Sequence, residues 1–288
     1  MLKIGIVGAE STHAAGIAKL CNVKRRVDAR VEMVWGETDE FAQKTAAAGR
    51  IPVIVKDWRE MLGKVDGVII DHRHAKYHFE PAKFFLSNGV PAFLDNAFTY
   101  TLAEGRKLFE IARRRKTPVT GFSSVTLQKD FSDFKAAAAR LGEVYSLATS
   151  GPADVESKWG GLFFYGIHQA HVITGLLGPC AGTAQLIRHG PDAVAILTYP
   201  KGPMATLSCL NREGFWDCRW SVLGKKGRVD WTPRNDAEYF LKTIQVFLKM
   251  IKTRKQPFEA ERILAPIAVL EAMTRSLKTG KPVKVAKV

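Results

Sequence analysis

The opening stretch MLKIGIVGAESTHAAGIAKL constrains the fold more than any other part of the chain. Leu2, Ile4, Ile6 and Val7 make an apolar run of strand length, Gly8 opens a turn, and Ala14 to Leu20 begin a helix with an apolar face. A strand, a tight loop and a helix in that order open a parallel dinucleotide-binding sheet of the Rossmann type. The loop departs from the glycine pattern G-x-G-x-x-G. Counting from Gly8, the second glycine is Glu10 and the third is His13. The second glycine is where main chain approaches a pyrophosphate, so a carboxylate side chain there brings both bulk and like charge. Ser11 and Thr12 stand where a hydroxyl caps a helix and meets an anion. With Ala9, these residues make Gly8 to His13 the candidate cofactor loop.

From Leu2 to about Phe122 strand and helix patterns alternate, with strands expected at 3–7, 31–35, 51–55, 67–70, 92–94 and 118–121. That rhythm predicts a doubly wound parallel sheet over residues 1–122. Beyond Phe122 it changes. A helix at 130–140, a strand at 144–150 and an apolar helix at 162–177 precede strand-like runs at 183–189, 193–199, 204–210, 215–223 and 227–231, and helices at about 237–253 and 260–278 close the chain. Consecutive strands joined by turn residues imply antiparallel pairing, so residues 123–288 are expected to form an α+β domain with a mostly antiparallel sheet.

Several function classes drop out on composition. The net charge of +15 is spread over separate patches, such as Arg113 to Lys116 at a helix end, with no nucleic-acid-binding motif beside them. Cys21, Cys180, Cys209 and Cys218 include no C-x-x-C pair, which argues for reduced thiols. The longest apolar run, Leu162 to Gly178, is too short and polar to span a bilayer, and the N-terminus does not read as a signal peptide. A cytoplasmic protein with no nucleic-acid or membrane partner is expected. His168 and His171 have a spacing suited to a metal, but no third ligand stands nearby and H-E-x-x-H is absent, so no metal is expected.

Four segments carry a resemblance: KIGIVGAESTHA at the start; VDGVIIDHRHAKYHFEPAKFFLSNGVPAFLDNAFTYTLAEGRKLFEIARRRKTPV; KWGGLFFYGIHQAHVITGLLG; and KTRKQPFEAERILAPIAVLEAMTRSLKTGKPVKV. Together they make the whole chain resemble the Gfo/Idh/MocA family, nicotinamide-dependent dehydrogenases that include glucose-fructose oxidoreductase and inositol dehydrogenase. The resemblance implies hydride transfer between the nicotinamide of NAD or NADP and a hydroxyl carbon of a sugar, polyol or cyclitol. It also implies a homo-oligomer formed through the sheet of the second domain. The family supplies a Lys from an E-K-P motif after the fifth strand, and an Asp and a His from D-x-x-x-H in the second domain. Here E-K-P reads Asp95, Asn96, Ala97, and D-x-x-x-H reads Phe164 to His168; an acidic position three residues later is His171.

Hydride loss from an alcohol needs a proton acceptor, and His168 is the candidate. Asn96 can orient a substrate hydroxyl but carries no proton or charge for the reacting oxygen. Tyr165, one helical turn before His168, either assists the imidazole or caps an apolar cluster. Lys158 and Trp159 are candidates for the substrate pocket together with His171, with packing the alternative for Trp159. Glu37, just after the second strand, is the candidate acceptor for a ribose 2′-hydroxyl, favouring NAD over NADP; Asp39 competes with it. Asp71 and His72, after the fourth strand, and Asp95, after the fifth, fall where such sheets present ligand contacts. Two functions are carried forward: an NAD(P)-dependent oxidoreductase, or a catalytically silent relative that binds a sugar-like ligand or a partner as a sensor or regulator.

Overall fold

The computed structural model describes residues 1–212 and 217–288, which form two compact units. The first comprises Met1–Ser124 and Glu238–Glu259; the second comprises Val125–Ala237 and Ala260–Val288.

In the first unit six strands, β1 (Leu2–Val7), β2 (Ala29–Trp35), β3 (Val53–Ile54), β4 (Gly67–Ile70), β5 (Ala92–Leu94) and β6 (Val119–Thr120), form a parallel sheet in the order β3-β2-β1-β4-β5-β6. The order reverses direction between β1 and β4, which places the ligand crevice of such a sheet at the carboxyl ends of those strands. Helices α1 (Thr12–Ala18), α2 (Asp39–Gly49), α3 (Phe79–Ser87) and α4 (Leu102–Arg115) connect them. Their ends follow from sequence. Ser11 caps α1, Thr38 caps α2, and Thr101 with Glu104 forms a capping box on α4, whose last turn carries Arg113, Arg114 and Arg115.

The second unit holds α5 (Lys129–Ala139), β7 (Val144–Pro152), α6 (Leu162–Leu177), β8 (Thr183–His189), β9 (Asp192–Thr198), β10 (Met204–Leu210), β11 (Arg219–Gly224) and β12 (Gly227–Trp231). After helix α7 (Leu241–Thr253) of the first unit come α8 (Ala260–Thr279) and β13 (Val283–Lys284). The seven strands run β12-β11-β7-β10-β9-β8-β13, antiparallel throughout except for β7 beside β10. Alternation sets which face is covered: Ala193, Ala195 and Leu197 on β9 and Ala205, Leu207 and Cys209 on β10 are buried, with α6 and α8 packed on the sheet. The α/β plus α+β architecture is the one the sequence implies.

One boundary differs. Dividing the chain at 122/123 assigns every later residue to the second domain, whereas Glu238–Glu259 packs with the first unit. The reason is apolar burial. Helix α7 turns Ile244, Phe247, Leu248 and Ile251 inward, and Gly67 on β4 is bare enough to admit them: a Cβ there would stand 2.5 Å from Ile251 Cδ1 and 3.0 Å from Phe247. Gln256 fixes the end of the segment, its side chain accepting from the Val119 N–H and donating to the Val119 carbonyl on the edge strand. The beginning of the strand expected at 215–223 and the end of the turn before it fall on residues 213–216, outside the described residues.

Candidate functional site

At the carboxyl end of β1, Gly8 has φ +107°, and a Cβ on it would stand 2.7 Å from the Asp71 carbonyl carbon and the His72 nitrogen. The first glycine of the loop is therefore required by the close passage of the chain after β4. The next two residues are held from β2. The main-chain N–H groups of Ala9 and Glu10 donate to Glu37 Oε2 at 2.9 and 3.0 Å, and Thr45 Oγ1 donates to the Ala9 carbonyl at 3.1 Å.

Glu37 Oε1 also lies 2.9 Å from His72 Nδ1. Burial acts to raise the Glu37 carboxyl, but the His72 hydrogen bond and the Ala9 N–H outweigh it and hold the group below the usual range. Asp39 faces elsewhere, pairing with Lys56 at 2.7 Å on the exposed start of α2. Between the two candidates for the ribose contact, only Glu37 touches the loop after β1.

His13 and Asp95 meet although 82 positions separate them: His13 Nδ1 stands 2.7 Å from Asp95 Oδ2. Burial acts to lower the His13 pKa, and the charge and hydrogen bond of Asp95 overcome it, so the imidazolium is favoured; the same pairing lowers Asp95 against its own burial. Asp71 completes the group. It is 1% exposed, and neither carboxylate oxygen has a hydrogen-bond partner of ordinary geometry; Asp95, Ser11 and the Ala14 main chain are the groups that act on it. Burial first, and the Asp95 charge second, push the Asp71 carboxyl well above its ordinary range. Asn96 follows, also buried, with its Oδ1 unpartnered, and the Asn96–Ala97 peptide is cis.

Ser11 caps α1 by accepting from the His13 N–H at 3.1 Å, while Thr12 is exposed as the first helical residue. His78, fully buried, has its two ring nitrogens against the carbonyls of His72 at 2.9 Å and Phe98 at 3.3 Å, and burial pushes it down to about 4. It holds the chain after β4 in place, a role that no local motif announces.

The candidates in the second unit lie on α6 and the loop before it. Lys158 Nζ sits 4.7 Å over the Trp159 ring, Trp159 and Phe164 have centroids 6.3 Å apart, and Phe164 packs on Tyr165 at 4.4 Å. Tyr165 and His168 are 6.3 Å apart centroid to centroid, so the phenol and the imidazole belong to one row of rings. His168 and His171 are both buried, and burial, with the charges of His168 and Arg262, pushes His171 down to about 3. A neutral His171 supplies no cation to a ligand at neutral pH.

Residues 2–121 match the sequence profile of the family described as "Oxidoreductase family, NAD-binding Rossmann fold" (GFO_IDH_MocA). Solved structures share the fold over the whole chain. An apo scyllo-inositol dehydrogenase from Lactobacillus casei is 14% identical with a TM-score of 0.86, covering 100% of this chain and 99% of its own. A myo-inositol dehydrogenase from the same organism, in complex with NAD(H) and myo-inositol, is 15% identical with a TM-score of 0.81, covering 100% and 98%. GenD2 from gentamicin A biosynthesis, in complex with NAD, is 15% identical with a TM-score of 0.85, covering 99% and 96%. Among curated proteins no sequence matches the chain. No helix of the described residues is long and apolar enough to cross a membrane.

Proposed function

We propose that the protein, whose residues 2–121 match the Gfo/Idh/MocA oxidoreductase family with its NAD-binding Rossmann fold, transfers hydride to or from a sugar, polyol or cyclitol. The observation that carries the reading is Glu37, whose carboxylate stands at the end of β2 against the loop N–H groups of Ala9 and Glu10. A carboxylate there accepts from ribose hydroxyls and repels a 2′-phosphate, which favours NAD over NADP. Gly8 to His13 form the loop beside the dinucleotide, with His72 orienting Glu37 from behind. Bound NAD supplies the hydride acceptor.

The chain's own residues deal with the proton and the alcohol. His168 takes the hydroxyl proton on a ring nitrogen, with Tyr165 one helical turn away. The proposed roles are Asn96 to orient the substrate by hydrogen bonds, Lys158, Trp159 and His171 to contact it, and Asp71, His72 and Asp95 to contact the cofactor. A second reading, a silent sugar-binding sensor, is favoured by one observation: Asn96 offers no ionisable group where the family places Lys. The same proposal includes a homo-oligomer formed through the second sheet, supported by Ile187, Val194, Met204 and Leu223, which are exposed on its uncovered face.

Calorimetric titration with NAD and NADP, followed by NADH formation over a panel of sugars, polyols and cyclitols, tests the function. Saturable NAD binding with turnover supports the enzyme. Binding of a polyol without turnover supports the sensor, and absence of any dinucleotide binding overturns the oxidoreductase reading.

A further inference from the structure

We propose that His13, Asp71 and Asp95 form a binding site for one divalent transition-metal ion within the first unit. The three come from separate segments: the first turn of α1 and the residues that directly follow β4 and β5. Each offers one donor atom, His13 Nδ1 or a carboxylate oxygen, and these atoms all lie within 4.8 Å of one another. Such a cluster does not suffice alone. The second observation is the state of Asp71, 1% exposed with both oxygens lacking a hydrogen-bond partner, beside Asp95, which is only 5% exposed.

Buried polar groups are nearly always satisfied, and a buried carboxyl whose two oxygens both lack a hydrogen bond of ordinary geometry is a costly exception. His13 already pairs with Asp95 at 2.7 Å, so one imidazolium faces two carboxylates. The charge left over calls for one more positive centre at Asp71, and either a proton or a cation can supply it. The donor set decides for the cation. One imidazole nitrogen with two carboxylates suits zinc or manganese, while calcium requires six to eight oxygens. Three protein ligands also leave coordination positions open for water or an alcohol oxygen, as in metal sites that act on a bound ligand. On binding, the ion replaces the proton held between His13 and Asp95 and the one on Asp71, and those protons leave to solvent. Arg73 opposes the site with its own charge, which sets a limit on affinity.

The test uses the full chain freed of metal with a chelator and contains no dinucleotide, so its failure leaves the oxidoreductase reading standing. Zn²⁺ and Mn²⁺ are titrated separately by calorimetry, with Mn²⁺ occupancy followed by electron paramagnetic resonance. The expected result is one saturable site per chain, weakened about 100-fold or more by Asp71→Asn and by Asp95→Asn. His189→Gln, which removes an exposed histidine of the other unit, keeps the native affinity. Melting curves of the metal-free variants verify that each is folded. Because metal-free Asp71 favours the neutral acid and Asn is its neutral isostere, the metal-free form of Asp71→Asn is expected to melt close to the native protein. A folded native chain that binds neither ion saturably, or binding that both variants leave unchanged, overturns the site in favour of a proton shared by Asp71 and Asp95.

Discussion

The carboxylate of Glu37 accepts from the main-chain N–H of Ala9 at 2.9 Å, so the residue proposed to meet a ribose is also a brace of the loop after β1. Any ligand reaching Glu37 meets a group already engaged on one side by loop N–H groups and on the other by His72. Removing the carboxylate therefore loosens the loop and deletes an acceptor together. Glu37→Ala is expected to weaken NAD binding by roughly ten- to a hundredfold and to narrow the preference over NADP. Calorimetric titration with both dinucleotides checks it; unchanged preference would remove Glu37 from the ribose contact.

Glu10→Gly is expected to act in the opposite direction. It deletes a carboxylate where a pyrophosphate approaches while keeping the main-chain N–H that bonds Glu37. NAD affinity should rise by about tenfold or more in the same assay, and a variant that binds no better than the native chain refutes the argument from charge and bulk.

A third expectation concerns the chemistry. Asn96→Lys should raise NADH formation from a polyol, because an ammonium stabilises a developing alkoxide, and His168→Ala added to it should abolish the gain. If the native protein is itself active, His168→Ala alone should lower kcat by roughly two to four orders of magnitude. Native turnover indifferent to His168 would sink the proposed base, whereas silence in all variants with ligand binding intact would favour the sensor.

His171 links the fold of the second unit to pH. Its folded pKa of about 3 lies below the ordinary 6.5. The unfolded chain therefore binds a proton that the native chain refuses, and stability is full above about pH 6.5 and falls as pH drops toward 3. At pH 5 the loss from this residue amounts to about 2 kcal/mol. His78, held at about 4, acts with the same sign in the first unit. Urea unfolding at pH 7 and pH 5 should show the native protein losing more stability than His171→Gln, and equal losses would contradict a neutral buried imidazole.

Packing of α7 onto the first sheet gives a mechanical expectation. Phe247 is 1% exposed and its ring centroid stands 6.0 Å from that of Phe93. Phe247→Ala should cost about 3–5 kcal/mol. Gly67→Ala should cost about 1–3 kcal/mol by overpacking against Ile251. A fragment ending at Ser124 should fail to show cooperative unfolding by circular dichroism, since the cover of β4 and β5 lies beyond it.

The parallel sheet was legible because its strands are apolar runs separated by helices, and the places of Glu37, Asp71 and Asp95 followed from the rule that such sheets present ligands at strand carboxyl ends. What the sequence did not reveal depends on distance along the chain. No local pattern couples His13 to Asp95, and no ligand-spacing motif joins either of them to Asp71; only the fold of the first unit brings the three together. The membership of Glu238–Glu259 was hidden for a related reason. An amphipathic helix announces that it has a face to bury, and not which sheet will bury it. His78 escaped notice because its partners are carbonyl groups, which every residue carries.

The return of Glu238–Glu259 to the first unit sets a timetable for the nascent chain. Gly67 and Phe93 leave the ribosome long before Phe247 and Ile251, and the whole of Val125–Ala237 is translated in between. At about 5–20 residues per second, translating Val125–Ala237 alone takes roughly 6–23 s. Throughout that time the face of the first sheet that α7 covers is exposed to chaperones and to other nascent chains, and it closes only after Val125–Ala237 has been made.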